Sequence, residues 1–329
     1  AINEHSTEHI SLPDWADLML IAPATANVLC KMAHGIADDA LTTTFAAMRK
    51  PVVIAPAMNT NMYESPATQH AMQSLSQWDN ITMLDAASGE LACGTTGKGR
   101  MQEIDVLMAA VEYALTPKTM TGKHVLITAG PTQEAIDPVR YISNASTGKM
   151  GYALVRACLN RGARVTLVSG PTQLSLQAWQ AFCPLQVFKV LSSEEMYHAT
   201  KEAFPQADIA ILCAAVADFT PENPAEAKIK READDMVLRL KPTHDIAAAL
   251  GEMKQPHQTL VGFAAETQNL LQYAKGKLEK KNLDMIVAND VSKPQAGFNV
   301  DTNLIKLLKR DGSIEELPLM SKKELAYII

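Results

Sequence analysis

The strongest constraint in this chain is a series of short, continuous apolar runs, each ending in small or polar residues. They are DLMLIAP (17–23), PVVIAPAM (51–58), KHVLITAG (123–130), ARVTLVSG (163–170), ADIAILCAAVAD (207–218), TLVGFAAET (259–267) and LDMIVAND (283–290). Runs without polar alternation belong to strands buried on both faces, which parallel sheets flanked by helices provide. Helix-like segments fall between them at 24–36, 103–115, 147–161, 193–203 and 268–281, and ITML (81–84) and LQVFKV (185–190) add strands. The pattern predicts an α/β chain with mainly parallel sheets in two doubly wound, Rossmann-like units. The polar stretch TPKTMTGK (116–123) separates residues 1–117 from 118–329. NLIKLLKRDGSIEELPL (303–319) reads as a hairpin turning at Asp311-Gly312.

Composition narrows the partners. A net charge of −6 with 20% charged residues argues against a nucleic-acid surface. The one basic block, KGKLEKK (275–281), reads as a solvated helix face. No apolar run has membrane-spanning length and no signal peptide is recognisable, so no membrane partner is expected. The five cysteines are scattered, odd in number and without CxxC spacing. That pattern implies a reducing cytoplasm and no structural disulfide. The chain begins at Ala1 and ends in SKKELAYII, where Ser321 and Glu324 form a capping pair. Both ends read as cut, which predicts a fragment of a longer protein.

In such sheets ligands sit beyond the carboxyl ends of the strands. The informative residues are therefore the strand tails APATAN, PAMNTNM, TAGPTQ, VSGPT, CAAVADF, GFAAET and ANDV. Small residues let backbone approach a ligand, and helix N-termini offer N–H groups to phosphate. PAMNTNM holds two asparagines between Met58 and Met62; by local chemistry alone it is a strand end turning into a loop. After ITAGPT comes a long segment with Arg140, Asn144, Ser146 and Lys149 and no G-x-G-x-x-G. It is either a surface loop or a functional one. In AAVADFTPENPAEAKIKR (214–231), a strand ends at Asp218, and Lys228 and Lys230 flank Ile229 as on a short strand. A basic strand beside an acidic strand end suits a nucleoside triphosphate with magnesium, though each residue alone reads as ordinary surface.

Taken together these segments resemble a known family. ITAGPT, DPVRYISNASTGKMG, SGPT, CAAVADF, AKIKR, GFAAET and ANDV occur in the order found in phosphopantothenoylcysteine synthetases. EHISLPDWADLMLIAPATAN, GIADDALTT, PAMNTNMYESPATQ and ACGTTGKGRM resemble phosphopantothenoylcysteine decarboxylases, whose fold is flavodoxin-like. The resemblance, to the bacterial bifunctional flavoproteins of coenzyme A biosynthesis, spans nearly all 329 residues.

It implies two reactions. In the first, 4′-phosphopantothenate and cysteine are joined at the expense of CTP through an acyl-cytidylate. In the second, 4′-phosphopantothenoylcysteine is decarboxylated to 4′-phosphopantetheine with FMN as cofactor. FMN takes electrons from the cysteinyl thiol, giving a thioaldehyde that lets CO2 leave, and returns them afterwards. For the decarboxylase the resemblance implies catalytic roles for His9, Asn59 and Cys93 and flavin contacts from Thr25, Ala26 and Asn27. For the ligase it implies that Asn144 covers the acyl-cytidylate and that Lys228 stabilises phosphate charge. Leu212, Cys213, Ala214, Asp218, His244, Asp245, Ile246, Ala247, Phe263, Lys277 and Lys281 match nucleotide-binding positions. Lys277 and Lys281 lie four apart, so one helix face can present both to phosphate. Magnesium is expected mainly on the CTP phosphates, and the assembly is expected to be a homo-oligomer, dimeric through the synthetase and trimeric through the decarboxylase.

Three departures stand out. Tyr63 stands where the decarboxylases carry Trp, His244 stands where the synthetases carry Pro, and KIKR replaces KIKK. The family's opening strand and Gly/Ser-rich flavin-phosphate loop have no counterpart here, which predicts an inactive decarboxylase half unless that segment is supplied. The alternative reading is a two-domain NAD(P)-dependent oxidoreductase, disfavoured by the missing dinucleotide fingerprint.

Overall fold

A computed structural model describes residues 8–90, 94, 96–230, 235–266, 270–290, 297 and 300–329, the side chains of 265–274 and 290 excepted. The chain divides into two units. One runs through Lys118 and includes Gln177–Cys183; the other holds Thr119–Leu176 and Pro184–Ile329.

In the first unit, α1 (Glu8–Trp15) precedes β1 (Met19–Ala24). Helices α2 (Ala26–Ala33) and α3 (Ala40–Ala47) lead to β2 (Val52–Pro56), and α4 (Thr60–Tyr63) and α5 (Pro66–Ser76) lead to β3 (Ile81–Met83). These strands form a parallel sheet in the order β1-β2-β3. Every residue of the central β2 is buried, as its unbroken apolar run predicts. Its side chains alternate between two cores. Val52 and Ile54 pack with Leu29, Phe45 and Leu75, while Val53 and Ala55 pack with Leu84, Leu107 and Ala110. The described TGKGR part of the glycine-rich segment forms β5 (Thr96–Arg100), which pairs antiparallel with β4 (Ala87–Glu90) and is followed by α6 (Ile104–Leu115).

The second unit opens with β6 (His124–Ala129), then a small hairpin of β7 (Gln133–Ala135) and β8 (Tyr141–Ser143), α7 (Lys149–Asn160) and β9 (Arg164–Ser169). The turn α8 (Gln177–Gln180) lies in the segment assigned to the first unit. Then come β10 (Leu185–Lys189), α9 (Ser193–Ala203), β11 (Ile209–Leu212), the pair β12 (Phe219–Pro221) and β13 (Leu240–Pro242), and α10 (Ile246–Met253). The chain continues through β14 (Thr259–Glu266), α11 (Leu270–Lys280), β15 (Met285–Asp290), β16 (Thr302–Asn303), β17 (Ile305–Lys309), β18 (Ile314–Glu316), β19 (Met320–Ser321) and α12 (Lys322–Ile328). The main sheet runs β10-β9-β6-β11-β14-β15-β17-β18; the first six strands are parallel, and the last two form the antiparallel hairpin expected around Asp311-Gly312. Numbered within the parallel set, that order is 3-2-1-4-5-6, the doubly wound Rossmann arrangement. The order reverses between β6 and β11, where Leu212 pairs with Thr128 on one side and Gly262 on the other. Leu126, Ala210, Leu260 and Ile286 share the core beneath it with Phe204, Leu250 and Leu278.

Candidate functional site

In the first unit the tails of β1 and β2 turn side by side: Ala57 N–H donates to Ala24 O at 3.0 Å. Thr25 caps α2, its Oγ1 accepting from Val28 N–H at 3.3 Å, so half-buried Ala26 and exposed Asn27 form the first turn. Asn59 caps α4, its Oδ1 accepting from Asn61 N–H at 2.9 Å. Met58 N–H donates to Gly99 O at 2.9 Å, which lays β5 along this turn. The approach explains two glycines of the hairpin. A Cβ at Gly97 would strike Thr60 Oγ1, and one at Gly99, whose φ is +150°, would strike Met58 O. Thr60 Oγ1 is itself buried without a hydrogen-bond partner among the described residues.

Tyr63, the residue that replaces Trp, is buried. Its hydroxyl donates to Asp85 Oδ1 at 3.1 Å and accepts from Ala86 N–H at 3.4 Å. Lys98, from β5, pairs with Asp85 Oδ2 at 3.1 Å and sits 5.3 Å from the Tyr63 ring centroid. The hydrogen bond to Asp85 raises the Lys98 pKa. Asp85 therefore links Tyr63 to the hairpin, a contact that Trp, lacking an oxygen, would make differently. His9 lies half-buried on α1, which packs on α3, and no hydrogen bond joins it to Asn59 among the described residues. Cys93 lies outside the described residues.

In the second unit the strand tails meet at the β6/β11 reversal. The 213–217 segment is fastened to the tail of β6: Ala214 N–H donates to Thr128 Oγ1 (3.2 Å), Ala215 N–H to Gly130 O (2.9 Å) and Ala217 N–H to Thr132 Oγ1 (3.0 Å). Two clefts open there. One, of about 350 Å³, is walled by Leu212, Ala214, Asp218, His244, Asp245, Ile246, Ala247, Phe263, Lys277 and Lys281. The other, of about 430 Å³, is walled by Asn144 through Gly151, Cys213 and, farther on, Asn289, Asn303 and Lys322. Ala214, Val216, Asp218, Phe263, Ala264 and Lys277 belong to both.

Asn144 Nδ2 donates to the carbonyls of Ala215 (3.1 Å) and Val216 (3.0 Å), tying its loop to the β11 tail. The N-terminus of α7 opens into the second cleft behind Gly148, whose φ of +77° places it in the left-handed region. Asp245 caps α10 through Ala248 N–H (3.0 Å) and pairs with Lys281 (2.9 Å). Burial pushes the Asp245 pKa up, but Lys281 and the helix amides outweigh it and hold the carboxyl below its ordinary value. His244 stacks on Tyr197, with ring centroids 4.6 Å apart, and its Nε2 lies 3.5 Å from Glu194 Oε2. That pairing seats an imidazole where the synthetases carry a proline. Cys213 is half-buried in the wall, and burial of its sulfur pushes the thiol up to about 12, which favours the protonated form.

Lys228 departs from expectation. Residues 226–230 form no strand, and Lys228 is exposed and outside the walls of both clefts. The backbone hydrogen bonds that a strand would have used go elsewhere. Ile229 N–H donates to Asp137 Oδ2 (3.2 Å), and Ile229 O accepts from Arg140 Nη2 (2.8 Å). Asp137, with a fully buried side chain, pairs with Arg140, and that ion pair chiefly holds its carboxyl well below the usual range. This latch anchors the loop next to Lys228. Among the described residues no cluster of His, Cys, Asp and Glu could hold a metal ion, and no helix is long and apolar enough to cross a membrane.

The sequence reading passed over Asn289, Asn303 and Lys322 as site residues. The ANDV tail was visible as a strand end, but nothing local marks Lys322. It reaches the cleft because α12 returns, its Nζ donating to Gly297 O (2.8 Å) and Val300 O (2.6 Å).

Comparison with known proteins agrees with this architecture. The Flavoprotein family model matches residues 1–116, and that of the DNA/pantothenate metabolism flavoprotein C-terminal domain matches 120–329. The coenzyme A biosynthesis bifunctional protein CoaBC of Bacillus subtilis is 49% identical over 99% of this chain and 80% of its own length. A cysteine/cysteine sulfinic acid decarboxylase of an unknown prokaryotic organism is 48% identical over 97% of this chain and 89% of its own. The crystal structure of the C-terminal domain of a CoaBC protein aligns with a TM-score of 0.53 at 42% identity, covering 64% of this chain and 92% of that one. Nothing among these relatives supports the NAD(P)-oxidoreductase alternative. The chain belongs to the family of bifunctional coenzyme A biosynthesis flavoproteins.

Proposed function

We propose that the second unit ligates 4′-phosphopantothenate to cysteine with CTP, and that the first, when supplied with the strand and flavin-phosphate loop that the family places ahead of it, decarboxylates the product with FMN to give 4′-phosphopantetheine. Family membership supports both activities, ligase and decarboxylase. The observation that carries the ligase assignment is the shared wall of two clefts at the switch point. A nucleotide in one cleft and an acid in the other would bring α-phosphate and carboxylate together beside Lys277 and Asp218. The carboxylate oxygen attacks the α-phosphorus of CTP and pyrophosphate leaves. The cysteine nitrogen then attacks the acyl carbon, CMP leaves, and the nitrogen loses a proton. Lys277 faces the reacting phosphates, while Lys281, oriented by Asp245, and Asp218 bind the nucleotide. Phe263, His244, Ile246, Ala247, Leu212 and Ala214 shape its cleft, and Cys213 walls the adjoining one. Asn144, fixed on the Ala215 and Val216 carbonyls, covers the acyl-cytidylate. Lys228 closes over the phosphates from its anchored loop, supplying positive charge where negative charge develops. Magnesium is carried by the CTP phosphates.

In the first unit the residues fit the polar edge of FMN. The first turn of α2 offers the backbone N–H groups of Ala26 and Asn27 beside Thr25, and the orphaned Thr60 Oγ1, just after β2, lies against Gly97. When bound, FMN supplies the two-electron chemistry. Asn59 orients the substrate's carboxylate end through its amide, His9 lines the site, and Cys93 returns a proton. The assembly is a cytoplasmic homo-oligomer, with dimer contacts in the second unit and trimer contacts in the first.

The test is pyrophosphate release from the purified chain given phosphopantothenate, cysteine, magnesium and either CTP or ATP. Release with CTP alone, lost in Lys228→Gln without a change in melting temperature, is the expected result. Release with neither nucleotide refutes the ligase assignment.

A further inference from the structure

The second cleft ends against Asn289, next to the last residue of β15. Asn289 is 8% exposed, and its Oδ1 has no hydrogen-bond partner among the described residues. A buried oxygen left without a donor is costly, and native proteins keep few of them. Neighbouring polar groups along the cleft have other partners. Lys322 donates to Gly297 O and Val300 O, Lys149 pairs with Asp301 at 2.7 Å, and Asn303 Oδ1 accepts from Gly297 N–H at 3.3 Å.

The chemistry of the wall is two-sided. The N-terminus of α7 and the ammonium groups of Lys149, Lys277 and Lys322 favour an anion. Asn289 Oδ1 is an acceptor, so it calls for an O–H or N–H and gives nothing to a carboxylate or a fully ionised phosphate. One molecule that satisfies both carries an anionic group and, along the same skeleton, a hydrogen-bond donor. Nucleoside phosphates are accounted for by the neighbouring cleft.

We propose that Asn289 reads the acid substrate of the ligase: its Oδ1 accepts a hydrogen bond from the hydroxyl or amide N–H of a phosphorylated hydroxy-amide acid held in the second cleft. This rests on the ligase assignment above. It makes Asn289 a specificity residue for the acid and leaves nucleotide and cysteine binding to other groups.

The experiment compares wild type with Asn289→Leu, which keeps the branched shape and removes the acceptor. Three acids are used: phosphopantothenate, its analogue without the hydroxyl, and its analogue with the amide N-methylated. For wild type, KM should rise roughly tenfold to a hundredfold for one of the two analogues, the range expected when a buried acceptor loses its donor. For Asn289→Leu, KM for phosphopantothenate should rise by a similar factor and the discrimination should vanish, with KM for CTP and cysteine within twofold. The ligand-free variant should melt no lower than wild type, because an unsatisfied buried oxygen has been removed. A purely structural asparagine would instead lower the melting temperature and leave every KM alone. That result, an increase confined to cysteine, or a wild type indifferent to both analogues would each overturn the proposal. The analogue comparison on wild type needs no variant to fold. A wild type that releases no pyrophosphate with any acid would sink the ligase assignment itself.

Discussion

Replacing Gly170 by alanine would put a methyl group where only backbone stands. A Cβ there would lie on Pro131 O, with Pro131 C the next atom in its way. No flexible side chain can yield, so the turn after β6 or the end of β9 must shift. The turn is not isolated. Pro131 bridges to Ala215, Ala215 N–H donates to Gly130 O at 2.9 Å, and Ala215 O receives Asn144 Nδ2 at 3.1 Å. A displaced Pro131 therefore moves the wall shared by both clefts. Overpacking of this kind costs about 1–3 kcal/mol. At roughly 2–4 °C per kcal/mol for a unit of this size, the melting temperature should fall by about 2–12 °C. Misplacement of the Ala215–Asn144 pair by about an ångström would cost about a hundredfold in kcat/KM. Gly312→Ala is the control. Its φ is +85° and nothing lies within 4 Å of the added carbon, so it carries only left-handed strain of about 1 kcal/mol. It should lower the melting temperature a few degrees and leave pyrophosphate release within twofold. Both variants would be measured by thermal melts and pyrophosphate release. If Gly170→Ala matched Gly312→Ala in both, the close backbone approach would not be what organises the site.

Other outcomes follow from single contacts. The Lys254 side chain is 7% exposed and donates to both Asp284 oxygens (2.8 and 2.9 Å) and to Asn282 O (2.9 Å), so Lys254→Met should cost about 3 kcal/mol, read as a lower denaturant midpoint. The folded Asp245 pKa lies below its ordinary value of 3.8, so its contribution is complete above that pH and is lost as pH falls through the folded value. Melting temperatures between pH 7 and 3 should therefore drop more steeply for wild type than for Lys281→Met, and parallel curves would contradict the pairing. With its thiol pushed up to about 12, Cys213 should resist iodoacetamide at pH 8 in the native protein and react on unfolding, as mass spectrometry of tryptic peptides would show.

Much of the fold was legible because buried parallel strands announce themselves as unbroken apolar runs. β2, β6, β9 and β11 fall within the runs at 51–58, 123–130, 163–170 and 207–218. The hairpin at Asp311-Gly312 was legible because its turn needs a residue at positive φ. The β4–β5 hairpin was not legible beyond its glycine-rich composition. Its glycines answer to contacts with Met58 and Thr60, some forty residues earlier in the chain, and local pattern cannot report such contacts. The 226–230 segment misled in the opposite direction. Its alternation resembled a strand, but its backbone bonds go to Asp137 and Arg140.

By itself the sequence determined which runs are buried as strands and which of them end in small or polar tails. Both depend on local periodicity and on the small, polar composition of the tails. Tertiary structure alone decided the strand order. Parallel pairing joins segments far apart in the chain, and only that pairing sets the reversal between β6 and β11 and the two adjoining clefts above it. It also decided that Asn289 and Lys322 line the second cleft while the Lys228 side chain stands outside both walls. Those outcomes depend on where hydrogen-bond partners lie in space, which no spacing along the chain encodes.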